Sequence, residues 1–394
     1  MFESKPSVLI LSCGSWHLPH TAKAFAKRGM LAGLWITLGN HTGIPTSRFR
    51  RAWPFQAAML PFYFCTPQTV AERAFYSLLP VWKAWLARQR FPSCNVVHAI
   101  MGYGTEPFDQ AEKIGALKVL DCPNSHPVTY HGFWQRECDL WCPGDKVPIP
   151  QWMFARMNRE LDRADIIIVQ SNFCKESMVM NGIPPDKVKV NPMGVDIDLF
   201  SKRPSPPRNA RFVCVGTICL RKGHQYLFRA WEIVRRKLPE AELICVGPYK
   251  QDFRKERPKW EGKFTHHPLL SHSQIAELLK TCTAFVFPSQ EEGIARAQIE
   301  ALAAGLPVIG THQGGTTTVV DDGVEGLIVH GRDPEGIADG MLRIANDHSL
   351  NERMGEAARR RICESHSWQQ YGDRLIACYE ARLEQKSKQF PTSP

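Results

Sequence analysis

Short apolar runs recur along this chain, each broken by Gly, Pro or Ser and followed by helix-forming residues. One set falls at residues 8–13, 34–38, 96–100, 118–121, 166–169 and 188–192. A second falls at 211–215, 243–247, 284–287, 308–310 and 326–329. The runs are continuous, without the alternation of a half-exposed strand, so they read as strands buried on both faces of a parallel sheet. Helical composition lies between them, at about 19–28, 152–163, 334–346, 350–364 and 368–386, with Ser171 capping a further helix. Strand and helix alternate, which predicts an α/β chain with two Rossmann-like halves. Residues 201–209 (SKRPSPPRN) are Pro-rich, polar and basic, and read as a linker. The boundaries that follow are an N-terminal domain over 1–200, the linker over 201–209, a C-terminal domain over 210–366 and a closing helix over 367–388.

The densest chemistry lies in residues 284–309, AFVFPSQEEGIARAQIEALAAGLPVI. It reads as a strand, a loop, a helix from about 295 stopped by Gly305 and Pro307, and another strand. Glu292 ends the loop and Glu300 lies inside the helix, near the carboxyl end of a parallel strand, where α/β sheets bind ligands. Between them the amides of Gly293, Ile294, Ala295 and Arg296 form a helix N-terminus, which suits a diphosphate. A carboxylate accepts hydrogen bonds from vicinal hydroxyls. On spacing alone, Glu300 fits a solvated helix face equally well.

The chain has 394 residues and a net charge of +10, and its first 90 residues hold eleven Lys and Arg against two Glu. Nearly the whole surplus therefore sits in the first quarter, which implies an anionic partner. Within residues 47–90, Arg48, Arg50, Arg51, Arg73, Lys83, Arg88 and Arg90 mix with Trp53, Phe55, Phe62, Tyr63, Phe64, Tyr76, Trp82 and Trp85. Two readings stand: a segment lying on anionic lipid, or helices of an acceptor domain burying their aromatics. Nucleic acid is not expected, since no binding motif accompanies the charge. The thirteen cysteines show no C-x-x-C pair, and Cys13, Cys214, Cys245 and Cys282 read as small buried apolar residues. That usage, with no leader sequence and no apolar run long enough to span a bilayer, leads to the expectation of a cytoplasmic chain, peripheral on the inner membrane face. Neither half carries G-x-G-x-x-G, so a dinucleotide site is not indicated.

The pattern P-S-x-x-E-G-(x)6-E-A-x-A-x-G-x-P-V-I, from Pro288 to Ile309, resembles the donor-site signature of the family 4 retaining glycosyltransferases of the GT-B fold, the glycosyl transferases group 1. Ile294-Ala295 stands where that family usually has Phe-Gly, and Met193 to Phe200 resembles its G-V-D-x-x-x-F hinge segment. Lys222-Gly223 matches the end of its G-R-(x)n-K-G loop, with Thr217 in place of the usual Arg and Arg221 as its substitute. The resemblance implies two Rossmann-like domains across a cleft, with the last helix crossing back to the first. It implies a retaining hexosyltransferase that moves sugar from a nucleotide-diphosphate sugar to a hydroxyl of a cell-envelope or lipid-linked glycan. Arg221 and Lys222 would hold the leaving diphosphate, Glu292 the sugar hydroxyls and Glu300 the ribose. Gly14 and Ser15 would border the phosphates, backbone near Leu269 would meet the nucleobase, and His126, with His131 second, would touch donor sugar or acceptor. No cofactor and no metal are expected, because Arg and Lys can neutralise the leaving group. Thr217 and Ala295 also motivate an inactive donor-binding partner subunit; a sugar-nucleotide epimerase fits the basic, aromatic N-terminal half less well.

Overall fold

The structure is a computed structural model that describes residues 5–14, 17–37, 43–65, 76–147, 149–207 and 209–389, without the side chains of 60–65 and 389. Over these residues the first half runs β1 (Val8–Ser12), α1 (Leu18–Lys27), β2 (Leu31–Ile36), β3 (Phe49–Arg51), α2 (Trp53–Cys65), α3 (Leu79–Ala87), β4 (Val96–Ile100), α4 (Thr105–Lys113), β5 (Leu117–Cys122), α5 (Pro127–Trp141), α6 (Gln151–Arg163), β6 (Ile166–Val169), α7 (Asn172–Met180) and β7 (Val188–Val190). The second half runs β8 (Arg211–Val215), α8 (His224–Lys237), β9 (Glu242–Val246), α9 (Arg257–Trp260), β10 (Thr265–His267), α10 (His272–Lys280), β11 (Ala284–Phe287), α11 (Arg296–Ala303), β12 (Val308–Gly310), β13 (Gly326–Ile328), α12 (Pro334–Asn346), α13 (His348–Ser365) and α14 (Trp368–Gln389).

The strands form two parallel sheets, ordered β3-β2-β1-β4-β5-β6-β7 and β10-β9-β8-β11-β12-β13. Their apolar runs are buried throughout, as in Ile166 to Val169 and Ala284 to Phe287. Helix starts follow capping chemistry: Ser171 accepts from Cys174 N, Ser271 and Gln274 form a capping box, and Asp333 and Asp347 cap α12 and α13. Cys13, Cys214, Cys245 and Cys282 lie in these cores, at most 1% exposed.

Helix α14 returns to the first domain, where Tyr371, Leu375, Tyr379 and Leu383 join its core. The chain crosses between the domains twice at one place. Val195 N donates to His366 O, and a Cβ on Gly194 would stand 2.6 Å from Trp368 Cα, so only glycine fits there. In the segment read as a linker, Arg203 is 3% exposed and donates to Cys282 O at 2.7 Å and Thr283 O at 3.2 Å, packing that stretch onto the second domain.

Several elements differ from the sequence expectation. Strand β2 runs over Leu31–Ile36 rather than 34–38, starting three residues earlier alongside β1, with Val8 paired to Leu31. Helix α5 occupies what reads as a loop after β5. Its buried positions include Glu137, which breaks the apolar periodicity that marks a helix. In residues 47–90, Phe55 and Trp82 are fully buried while Trp53 is 61% exposed, and residues 66–75 lie outside the described residues. Among the described residues, no helix is long and apolar enough to cross a membrane.

Candidate active site

Each sheet reverses its strand order once, between β1 and β4 and between β8 and β11. Crevices at such switch points, outside the carboxyl ends of the strands, are where α/β sheets bind ligands. The loop after β8 carries Arg221 and Lys222, and the loop after β11 carries Glu291 and Glu292. Lys222 Nζ lies 2.8 Å from Glu292 Oε2, with Phe287 beneath it at 5.2 Å, and Arg221 Nη1 lies 3.6 Å from the same oxygen. Burial would raise the Glu292 carboxyl, but Lys222 and Arg221 outweigh it and hold the group below the ordinary carboxylate range. Glu292 is therefore an ionised acceptor at neutral pH.

The neighbouring Glu291 is fully buried and faces the first domain. It accepts from Ser125 N at 3.0 Å, Ser125 Oγ at 2.9 Å and Asn124 Nδ2 at 3.3 Å, all from the loop after β5. Arg221 Nη1 completes its partners at 2.8 Å. Burial raises the Glu291 carboxyl, and Arg221 only partly offsets this. Two cations thus face two carboxylates across the switch point. The hydrogen bonds from the Arg221 guanidinium to Glu291 come from Nη1 alone.

Helix α11 starts at Arg296, behind Ala295, and no side chain caps it. Its first-turn amides stay free of a side-chain acceptor, as an anion site requires. One turn in, Glu300 is 4% exposed and pairs with Arg296 Nε at 3.1 Å. Burial raises its carboxyl against the pull of Arg296. Ile294 and Ala295 are buried, and Gly293 packs against the first domain: a Cβ there would stand 2.0 Å from Pro123 O. Leu269, before α10, is 83% exposed.

On the opposite wall, Gly14 closes β1 with a left-handed φ of 114° and donates its N–H to Thr37 Oγ1 at 2.9 Å; Ser15 lies outside the described residues. Below it, Asp121 holds His17 Nε2 at 2.9 Å and His98 Nε2 at 3.1 Å, and Tyr379 of α14 reaches His98 Nδ1 at 2.7 Å. His20 stacks on Trp368 at 4.1 Å, and burial, then Lys23 and Arg296, lower it to about 4.

His126 is a buried helix cap rather than a loop histidine: its Nδ1 accepts from Val128 N at 3.3 Å and its own N–H donates to Ser177 Oγ at 2.9 Å. Burial lowers its pKa. His131 packs edge-on against Phe154 at 5.2 Å. The chain's D-x-D tripeptide, Asp196-Ile197-Asp198, lies in the crossing segment, where Asp196 Oδ1 accepts from Leu199 N at 3.1 Å.

The structure thus brings together Arg221, Lys222 and Glu292, and sets Glu300 and Arg296 one turn along α11. Sequence reasoning missed Glu291, Asn124, Ser125 and Tyr130, whose ring carries the Arg221 guanidinium at 5.5 Å. It also missed Glu137 of α5, which accepts from Gln225 Nε2 at 2.8 Å, Tyr226 OH at 2.9 Å and Arg332 Nε at 2.7 Å, all from the second domain. One signal was available: the doublet Glu291-Glu292 matches the doublet Arg221-Lys222.

The chain is similar to known proteins over both of its halves. The family model for glycosyl transferases group 1 matches residues 196–361, and that for Glycosyltransferase Family 4 matches 116–199. A GDP-mannose-dependent alpha-(1-6)-phosphatidylinositol monomannoside mannosyltransferase of Mycobacterium tuberculosis is 25% identical over 282 residues, 66% of this chain and 68% of that one. An MMP alpha-(1->4)-mannosyltransferase of Mycolicibacterium hassiacum is 26% identical over 297 residues, 73% and 71% of the two chains. Among solved structures, a sucrose-phosphate synthase from Thermosynechococcus elongatus superposes with a TM-score of 0.68 at 17% identity, covering 96% of this chain and 100% of that one. Anabaena HepE in complex with UDP and glucose superposes at 0.68 with 15% identity, over 95% and 100%. Paired parallel sheets, a returning last helix and adjoining matches over both halves agree, and the chain belongs to the glycosyl transferases group 1, as a glycosyltransferase of the GT-B fold.

Proposed function

We propose that this glycosyltransferase is retaining, takes a hexosyl group from a nucleotide-diphosphate sugar, and delivers it to a hydroxyl of a cell-envelope glycan or glycolipid without a divalent metal. The observation that carries the reading is the pairing of Lys222 with Glu292 beside the uncapped start of α11. The diphosphate lies on the α11 amides, takes Lys222 and the unused Arg221 nitrogens, and so meets the charge that its departure creates. Glu292, released from Lys222, accepts from the sugar hydroxyls, and Glu300 accepts from the ribose. The acceptor oxygen attacks C1 on the face that the diphosphate leaves. The C1–O bond to phosphate breaks, the new C1–O bond forms, and a leaving phosphate oxygen takes the acceptor's proton. The activities named for the relatives, which include a GDP-mannose-dependent mannosyl transfer to a phosphatidylinositol mannoside, support a mannosyl donor and an envelope acceptor.

The reading includes a place on an anionic membrane surface. Exposed Trp53, with Arg51 over its ring at 5.0 Å, supports it. Binding to anionic liposomes at low salt, lost at high salt, is the expected result; no binding at low salt removes this part. The decisive experiment measures hydrolysis and binding of UDP-, GDP-, ADP- and TDP-sugars by wild type and Glu292→Ala. One donor hydrolysed slowly by wild type and not by the variant is expected. Donor binding with no transfer to any acceptor would refute the catalytic reading.

A further inference from the structure

We infer that the acceptor carries a hydrocarbon group of about the size of one aromatic ring beside its reacting hydroxyl, and that this group seats in an apolar cavity of the first domain under Tyr130. The inference rests on the transfer reading above. The cavity is partly open and holds about 130 Å³. A dry cavity of about 150 Å³ with aliphatic and aromatic walls holds benzene, so the volume suits one ring or a branched chain of similar bulk.

Its floor lies where strands end: Cys13 follows β1, Met101 follows β4 and Pro123 follows β5. These are the sheet edges that face the second domain. Phe154 and Met157 of α6 form a wall, and no Asp, Glu, Lys, Arg or His is among its described lining residues. Burial pushes the Cys13 thiol up to about 12 and the Tyr103 and Tyr130 phenols well above their usual value, so none of the three carries charge at neutral pH. Part of the polar wall is committed elsewhere, because Asn124 Nδ2 and the N–H and Oγ of Ser125 bond Glu291. Tyr76, Tyr103 and Tyr130 also line the cavity, and three phenols offer fewer partners than a sugar ring has hydroxyls to satisfy, a cost that a hydrocarbon group avoids.

Tyr130 connects the cavity to the transfer site. The same ring lines the cavity and carries the Arg221 guanidinium at 5.5 Å, and Arg221 lies 3.6 Å from Glu292. Tyr130 is thus a wall shared by the cavity and the donor site.

The test is a ligand-observed NMR titration of the full chain with benzyl alcohol, cyclohexylmethanol and glycerol, beside transfer from the hydrolysed donor to the same alcohols. Both apolar alcohols should bind at least tenfold more tightly than glycerol. Met157→Trp, which fills the cavity, should cut their binding at least tenfold and leave nucleotide binding within twofold. Phe154→Trp is a second filling variant, should the first fail to fold. Equal binding of glycerol, or apolar binding that survives both variants, overturns the inference. Failure of the underlying reading looks different: apolar binding that Met157→Trp abolishes, in a protein that hydrolyses no donor, would overturn the acceptor assignment and the transfer reading together.

Discussion

Removing the Glu291 carboxylate should open the cleft. This side chain belongs to the second domain, and three of its hydrogen bonds come from Asn124 and Ser125 of the first. A hydrogen bond to a charged group is worth about 1.5–3 kcal/mol. Two of the three share Oε1, and Arg221 stays with the carboxylate in either arrangement, so we assign the set about 3 kcal/mol rather than the sum. At about 1.4 kcal/mol per tenfold, Glu291→Ala should lower the closed-to-open ratio roughly 100-fold. Glu291→Gln keeps an acceptor oxygen without the charge and should lose about half that free energy, roughly tenfold. Ser125→Ala removes one bond and should lose a few-fold, about 1 kcal/mol. The assay is energy transfer between dyes on exposed Lys113 and Glu335, one in each domain. The low-transfer population should grow in the order Ser125→Ala, Glu291→Gln, Glu291→Ala, and donor hydrolysis should fall in step. A distance distribution for Glu291→Ala that superimposes on wild type would refute the reasoning.

Lys222→Met should weaken calorimetric binding of the matching nucleoside diphosphate at least tenfold, and it should raise the Glu292 carboxyl. A lowered carboxyl keeps its charge above the ordinary value and loses it only as pH falls through the lowered one, so hydrolysis of the donor sugar, which needs the ionised Glu292, should persist in wild type below the ordinary carboxylate range and be lost at a higher pH in the variant. Glu300→Ala should weaken nucleoside diphosphate binding and leave inorganic pyrophosphate unaffected; equal losses for both would remove the ribose role. Gly293→Ala should block closure, since its Cβ would stand 2.0 Å from Pro123 O, with more low-transfer population and no change in melting. Arg203→Met should destabilise the second domain by about 2–4 kcal/mol in chemical denaturation, because the buried carbonyl of Cys282 and the Oδ1 of Asn351 lose their donor.

Much of the fold was legible because its signal is local. Runs such as Ile166 to Val169 and Ala284 to Phe287 are apolar without interruption, and in the structure they are buried strands. The pairing of Lys222 with Glu292 was legible only through family resemblance; spacing says nothing about which loops meet. What escaped is where one domain's needs are met by the other. Helix α5 hides because its inward residues serve the second domain: Trp134 donates to Asp252, and Glu137 accepts from Gln225, Tyr226 and Arg332. Those buried polar positions look like surface in a hydropathy pattern. His126 differs, since it caps α5 within its own domain, and a histidine after a strand looks like a loop residue until that helix is known.

Helix α5 contacts both domains: Phe133 packs on Phe173 and His131 on Phe154 of the first, while its polar positions serve the second. Its Glu137 is fully buried among donors of the second domain, Cys142 just beyond it lies in that domain's core, and Asp145 pairs with Arg254. Pulling these apart would strand a carboxylate and an arginine, a cost of about 3–5 kcal/mol for a buried pair. The seam at Ser125 and Pro123 involves one carboxylate and one glycine contact, and is the cheaper one to break. Opening should therefore begin at the Ser125 seam, where Glu291 leaves its donors, while Glu137 and Phe133 hold α5 to both domains.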